Sequence, residues 1–368
     1  MYSNCFAPIP TQYEGIKEIY VTEDPSILST DRQTEIWTET DIAALPASQK
    51  IIHSIENATV YTFSSHAKNL DSILERDTSS IPQNIIVIGG GATINKSLYL
   101  AGEFPRKDIS ITLVPTTVLA MADVAIGSKG IIDALEKQTS ENHIVPQKNY
   151  FRRYVNPDTV LLEPEFIESL PNIQKKHGLS ECLKHGLMQD KDLYEICLNL
   201  LSERDLDSQT TYNAALRTME LKAAVLAVDP FEEDYGQVLS YGHLSAHSIE
   251  KAHHFSVPHG RSVLWGCLLD LHLAGNQTIY QELADCLREG GVLELTDVDF
   301  TNSQFSQLIE PAHNTDHKPF HFNSDGKFQI IKLDTVGQYA LPQPLTRIPL
   351  EFPEIKASLE AVSTDLMT

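Results

Sequence analysis

The chain is short of cysteine, short of basic residues and without a long apolar run, and each shortage removes a class of protein. Its five cysteines, Cys5, Cys182, Cys197, Cys267 and Cys286, are odd in number, scattered, and never spaced as CxxC. That excludes a disulfide framework and reads as reduced thiols of a cytoplasmic protein. Lys and Arg total 28 against 50 Asp and Glu, a net charge of -22. Nucleic acid or an anionic membrane would need a basic face, so neither is expected as a partner. No apolar window is long enough to span a bilayer. The opening "MYSNCFAPIPTQYEG" has neither the basic nor the apolar segment of a signal peptide, so no leader is expected.

What remains is ordinary globular material, with 42% hydrophobic and 21% charged residues over 368 positions. That length suits two domains. The first half alternates short, β-branched apolar runs with polar helical stretches: "KEIYVT", "QTEIWT", "ATVYTF", "NIIVIGGG", "ISITLVPTT" and "DTVLLE". Near-continuous runs such as "NIIVIG" predict strands buried on both faces of a parallel sheet. From about Pro171 the texture turns helical, as in "GLSECLKHGLM" and "GRSVLWGCLLDLHLAG". The expected fold is an α/β nucleotide-binding domain over 1–170, then a mostly α-helical domain over 171–368. The tail "DGKFQIIKLDTVGQYA" reads as a short hairpin or strand. "EKQTSENHIVPQKN" and "HNTDHKPFHFNSDG" read as long loops of the kind that tend to be functional.

Two turns in the first half suit a phosphate. "NIIVIGGGATINKS" runs a strand into Gly89, Gly90 and Gly91 and then a helix, where backbone N–H groups can approach an anion. The order is not GxGxxG, and a plain tight turn is the alternative. One strand later, "LVPTTVLAMADVAIGSKG" offers Thr116, Thr117, Asp123 and Lys129 at a strand end. In the second half, "YGHLSAHSIEKAHHFSVPHG" packs five of the 14 histidines into one stretch. His243 and His247 lie one above the other if that stretch is a helix. Glu181 and Lys184 share a face in "GLSECLKHGL". A divalent metal wants imidazoles plus a carboxylate, yet the spacing alone does not choose the ligands.

The ordered set is what is distinctive. GGG, then PTTxLAxxD with Lys129 six residues on, then ExxKxG, then GHxxxH, then HG resembles the dehydroquinate synthase family. This is the wider sugar phosphate cyclase group, with 2-deoxy-scyllo-inosose synthase and the epi-valiolone synthases. The resemblance covers roughly 85–337 and implies a nucleotide-binding α/β domain and a helical domain. It also implies NAD, a divalent metal, usually Zn2+ with Co2+ possible, a cytoplasmic homodimer, and a phosphorylated sugar as substrate. Matched position by position, Glu181, His243 and His259 resemble the metal ligands, and His247 a histidine that faces the substrate. Lys129, Asn149, Lys184, Lys222 and Lys318 match contacts to substrate or its phosphate. Asp123 matches the acid beside the nicotinamide and the reacting hydroxyl. Gly89, Gly90, Gly91, Thr116 and Thr117 match cofactor contacts, with Glu39 at the adenine ribose and Lys68 on the cofactor side. Arg106, or Lys107 beside it, matches an arginine lent across the dimer interface.

The chemistry this implies is oxidation of a secondary alcohol, elimination of phosphate, reduction, and intramolecular aldol closure to a carbocycle. Lysines would supply the local positive potential that a phosphorylated substrate needs in so acidic a chain. Three departures bear on the substrate. Asn95 stands where the glycine turn leads to an Asp. An Arg and an Asn expected before GHxxxH are missing from "GQVLSYGH", where Gln237 and Ser240 stand nearby. Losing that guanidinium removes a bidentate carboxylate clamp, which favours a substrate without a carboxylate, as in the inosose branch. The alternatives are 3-dehydroquinate synthase proper and a metal-dependent polyol or glycerol dehydrogenase of the same fold. A chain that binds ligands without turnover is a third.

Overall fold

The computed structural model describes residues 18–21, 28, 30–64, 67–68, 81–104, 109–137, 144–253, 255–293 and 321–367. It divides into two compact units, Met1–Pro171 and Asn172–Thr368. Unit one is built on β1 (Glu18–Val21), β2 (Thr34–Glu39), β3 (Thr59–Phe63), β4 (Asn84–Gly89), β5 (Ser110–Pro115) and β8 (Thr159–Leu162). They form one sheet in the order β1-β8-β5-β4-β2-β3, with all neighbouring pairs parallel. These are the six apolar runs read from the sequence. Every residue of β2 and β4 is buried, as two-sided helix cover requires.

Helices α1 (Thr40–Ala43), α2 (Pro46–Ser54), α3 (Gly91–Ala101) and α4 (Pro164–Ser169) complete the layers. Ala47 and Ile51 of α2 and Phe166 of α4 pack on Ile36, Ile86, Ile88, Val114 and Leu161, one face of the sheet. Gly89 pairs with Pro115, and Trp37 with Val87, so β2, β4 and β5 finish at the same level. Glu39, Gly89 and Pro115 therefore share the carboxyl edge, where open α/β sheets bind ligands.

The unit also contains an antiparallel hairpin of β6 (Lys129–Lys137) and β7 (Ile144–Tyr154). The sequence reading made much of this segment a loop, and Ile144–Lys148 are instead strand. The neighbouring strand β6 satisfies the backbone there, with Glu136 opposite Val145 and Lys137 opposite Ile144, which a local polar pattern with Pro146 does not announce.

Unit two is helical: α5 (Asn172–Gln189), α6 (Lys191–Ser202), α7 (Ser208–Val228), α8 (His243–Ala252), α9 (His259–Leu273), α10 (Gln277–Glu289) and α11 (Phe352–Met367). Asp190 caps α6, accepting from the N–H groups of Asp192 and Leu193, each at 3.1 Å. The stretch read as a short hairpin or strand supplies one strand, β9 (Phe328–Ile331), which pairs antiparallel with β10 (Arg347–Leu350) beyond that stretch. After β9 the chain returns to α5, where Gly337 and Tyr339 donate to the last-turn carbonyls of Leu187 and Met188, both at 2.8 Å. Cys182, Cys197, Cys267 and Cys286 are buried and free, and burial pushes the Cys182 thiol up to about 12. Among the described residues no helix is long and apolar enough to cross a membrane.

Candidate active site

Helix α5 is buried around most of its circumference, yet it hides Lys175, Lys176, Glu181, Lys184, His185 and Gln189. Charged side chains are almost never buried without partners. Lys175 and Lys176 are explained by Ser208 and the Gly290 carbonyl, each at 2.8 Å. Glu181 has a different set of neighbours. Its Oε2 accepts from Lys184, whose ammonium also donates to the Leu239 carbonyl at 2.7 Å. Its Oε1 is buried and accepts no hydrogen bond. Instead it faces His243 Nε2 at 3.4 Å and His259 Nε2 at 3.3 Å. Burial alone would raise the Glu181 carboxyl; Lys184 and the imidazoles more than offset that and hold it well below its ordinary value.

The imidazole orientations assign the proton positions. His243 Nδ1 lies 3.0 Å from the Tyr241 carbonyl and His259 Nδ1 lies 2.7 Å from Glu250 Oε1. Both partners only accept, so Nδ1 donates in each ring and the neutral ring turns a bare Nε2 toward Glu181. Protonating both rings instead would crowd three cations, with Lys184, around one carboxylate. Two nitrogen lone pairs aimed at a carboxylate oxygen repel unless a cation lies between them. A tetrahedral ion with ligand bonds of about 2.0–2.1 Å sets its ligands about 3.3–3.4 Å apart, the separation seen here. The three donor atoms lie within 4.8 Å of one another. The site fits a divalent metal, with Glu250 and the Tyr241 carbonyl as the outer acceptors that fix each ring.

Backbone contacts between helices set this geometry. A Cβ on Gly260 would stand 1.9 Å from the His177 carbonyl oxygen, so the start of α9 touches α5 directly. A Cβ on Gly266 would stand 1.9 Å from the Gly242 carbonyl oxygen. Gly242 itself is left-handed, with φ 72°, a conformation that glycine adopts without strain. The helices carrying Glu181, His243 and His259 are thereby locked at backbone range. The His247 ring stands 5.4 Å from that of His243 and 6.4 Å from that of His259, beside the three ligand atoms and outside their set. Lys222 on α7 is buried. Burial, and then Lys184, with a smaller push from Lys222, bring His185 down to about 3, so it is neutral; Gln189 holds its Nδ1 at 2.7 Å.

In unit one, Gly89, Gly90 and Gly91 join β4 to the N-terminus of α3. Thr116 donates its N–H to the Gly89 carbonyl at 3.0 Å, and its buried hydroxyl has no hydrogen-bond partner. Thr117 Oγ1 accepts from the Ala120 N–H at 3.0 Å, opening a π-helical turn, Ala120–Val124, that carries Asp123. Such turns recur at functional sites. The exposed amides at a helix start and the orphaned Thr116 hydroxyl fit a dinucleotide. Lys129 begins β6. Glu39 is buried and paired with Lys96 at 3.0 Å. Lys68 donates to Asn149 Oδ1 at 2.7 Å, and the two meet Asp133. The Asn95 side chain is used locally, donating to the Gly91 carbonyl at 2.9 Å and accepting from the Ile131 N–H at 3.1 Å. Arg106, Lys107 and Lys318 lie outside the described residues.

The structure thus gathers Glu181, Lys184, His243, His247 and His259 in unit two. In unit one it pairs Lys68 with Asn149 and stacks Glu39, the glycines and Thr116 along one sheet edge. Sequence reasoning missed Glu250, Asp133 and Lys96. For Glu250 a signal existed: it lies seven residues after His243, on the same face of a helix.

The fold and site thus define a protein with a parallel-sheet unit ending in a glycine turn and a helical unit carrying a Glu-His-His cluster that could hold a metal. Residues 53–177 match the 3-dehydroquinate synthase N-terminal family and residues 178–318 the 3-dehydroquinate synthase C-terminal family. The chain belongs to the 3-dehydroquinate synthase family, a family of enzymes. It is 30% identical over 265 residues to a 3-dehydroquinate synthase of Chlamydia abortus, covering 68% of this chain and 66% of that protein. In fold it is similar to a 2-deoxy-scyllo-inosose synthase complexed with carbaglucose-6-phosphate, NAD+ and Co2+. That match has a TM-score of 0.74 and 19% identity over 98% of this chain and 100% of the other. It is also similar to the 2-epi-5-epi-valiolone synthase of Streptomyces hygroscopicus subsp. jinggangensis with NAD+ and Zn2+, at TM-score 0.70 and 17% identity over 97% and 99%.

Proposed function

We propose that this chain is a sugar phosphate cyclase that requires NAD+ and a divalent metal and turns a phosphorylated sugar into a carbocycle. The observation that supports it above others is the convergence of Glu181, His243 and His259 with Lys184 on the second carboxylate oxygen. When bound, NAD+ would accept a hydride and the divalent ion would polarise the hydroxyl oxygen that loses it. Glu181, His243 and His259 would hold the ion, and Gly90, Gly91, Thr116 and Glu39 the dinucleotide. Lys184 keeps Glu181 ionised and, with Lys222, would add positive charge where a phosphate can leave. His247, outside the ligand set, would hold a proton beside the substrate. The reading carries with it the cytoplasmic homodimer that the family resemblance implies.

Among cyclases, the 2-deoxy-scyllo-inosose type is favoured by Gln237 and Ser240 in the turn before His243, where no sequence-adjacent arginine is left to grip a carboxylate. A specific contact supports a second reading, 3-dehydroquinate synthase proper. Arg347 from β10 reaches Gln237 Oε1, so a guanidinium does stand at that turn, supplied from elsewhere in the chain. Phosphate release by the metal-loaded protein with NAD+ separates the readings. Glucose 6-phosphate, sedoheptulose 7-phosphate and the heptulosonate phosphate are offered in parallel. Release from glucose 6-phosphate without net NADH is the expected result. Release only from the heptulosonate phosphate selects the second reading, and NADH accumulating on a simple polyol without phosphate release overturns both.

A further inference from the structure

The Tyr241–Gly242 peptide group is held at both ends. Its carbonyl accepts from His243 Nδ1 at 3.0 Å, and its N–H donates to Asp270 Oδ2 at 2.9 Å. Asp270 lies on α9, eleven residues beyond His259, and is 3% exposed. Its Oδ1 accepts no hydrogen bond, so Gly242 is the one partner of this carboxyl among the described residues. A buried carboxyl with a single bond is expensive to keep unless that bond matters.

We propose that Asp270 is a positioning residue of the metal centre, acting on His243 through the Tyr241–Gly242 peptide group. The inference rests on reading Glu181, His243 and His259 as metal ligands. Hydrogen bonds in a chain polarise one another in a low-dielectric interior. A carboxyl oxygen accepting the Gly242 N–H makes the Tyr241 carbonyl a better acceptor. That carbonyl in turn holds the proton on His243 Nδ1 and leaves Nε2 as the ligand atom. The peptide has little freedom to turn away, because the Gly242 end packs on the α9 backbone, where a Cβ would stand 2.8 Å from the Cys267 nitrogen. Each ligand histidine is then backed by an acidic side chain: His259 directly by Glu250, and His243 by Asp270 through one peptide. Helix α9 carries both a ligand, His259, and the support of the other ligand.

The test is binding of Co2+ alone to the full-length metal-free protein, read by competition with a chromophoric chelator and by the d–d absorption bands of the bound ion. Asp270→Ala is expected to weaken Co2+ affinity by about tenfold or more, the usual size of an outer-sphere loss, and to shift the bands. Asp270→Asn can still accept from Gly242 through its amide oxygen but lacks the charge. It is expected to restore most of the spectrum, with affinity about threefold below wild type. Co2+ affinity within twofold of wild type and unchanged bands in Asp270→Ala would overturn the proposal, whatever happens to thermal stability. If that variant does not fold, Asp270→Leu, close in volume and with no acceptor for the Gly242 N–H, is read in its place, and Co2+ affinity within twofold of wild type with unchanged bands overturns the proposal equally. Failure of the wild-type chain to bind Co2+ would instead overturn the metal reading itself.

Discussion

His259 donates from Nδ1 to Glu250 at 2.7 Å, so helix α8 carries both His243 and the carboxylate that orients His259. The two residues are nine apart in sequence and sit on different helices. Glu250→Ala removes the acceptor and frees the ring to rotate or change tautomer. Metal affinity should fall about 10- to 100-fold, with Glu250→Gln falling less because an amide oxygen still accepts. Chelator competition with Zn2+ measures this. Equal affinity in all three proteins would show that Glu250 does not set the ring.

Gly260 is where α9 touches α5, and the atom a methyl group would strike, the His177 carbonyl oxygen, is backbone and cannot swing aside. Gly260→Ala should destabilise the chain by about 2–3 kcal/mol or more. It should also loosen the metal, since His259 and Glu181 ride on the two helices forced apart. Gly275→Ala is the control: its φ is 72° but a Cβ meets nothing within 4 Å. Only backbone strain of about 1 kcal/mol follows there, with metal binding intact. Urea unfolding of both variants decides it, and similar losses in the two would refute the contact argument.

Asp229 organises the loop into the turn before His243. Its carboxylate accepts from the N–H groups of Glu233 at 3.1 Å, and of Asp234 and Gly236 at 2.8 Å. Partial burial pushes its pKa up, but the N–H groups of Asp234, Gly236, Glu233 and Glu232 outweigh that and lower it below the ordinary value of 3.8. A depressed carboxyl stabilises the fold above its unfolded pKa, and that stability is lost as pH falls through the lower, folded value. Asp229→Asn should therefore cost about 1–2 kcal/mol at pH 7, with the difference shrinking steadily below about pH 4. Denaturant titrations at pH 7 and pH 3 test it; a gap independent of pH would mean that the charge is not what acts.

Much of this molecule is legible in one dimension. Strand β4 was readable because a strand covered on both faces must be apolar at almost every position, as "NIIVIG" is, whereas the exposed edge strand β3 was readable from its β-branched and aromatic residues. The helical texture after Pro171 was readable from periodicity. The Glu-His-His set was visible only as an ordered resemblance. Spacing left His243, His247, His253, His254 and His259 as near equals. The hairpin Lys129–Lys137 with Ile144–Tyr154 was not legible, since its strands are half-polar and their stability comes from pairing with each other.

What the amino-acid order determined by itself is which segments bury their side chains and which turn residues end them, because burial and backbone preference act locally along the chain. Tertiary structure alone decided which imidazoles meet Glu181 and what stands behind them. Glu181, His243 and His259 meet because glycines let α5, α8 and α9 touch at the backbone. Glu250 meets His259, and Asp270 the Gly242 N–H, only through that contact. A hydrogen bond acts over about 3 Å, and no spacing in the sequence measures that distance between helices.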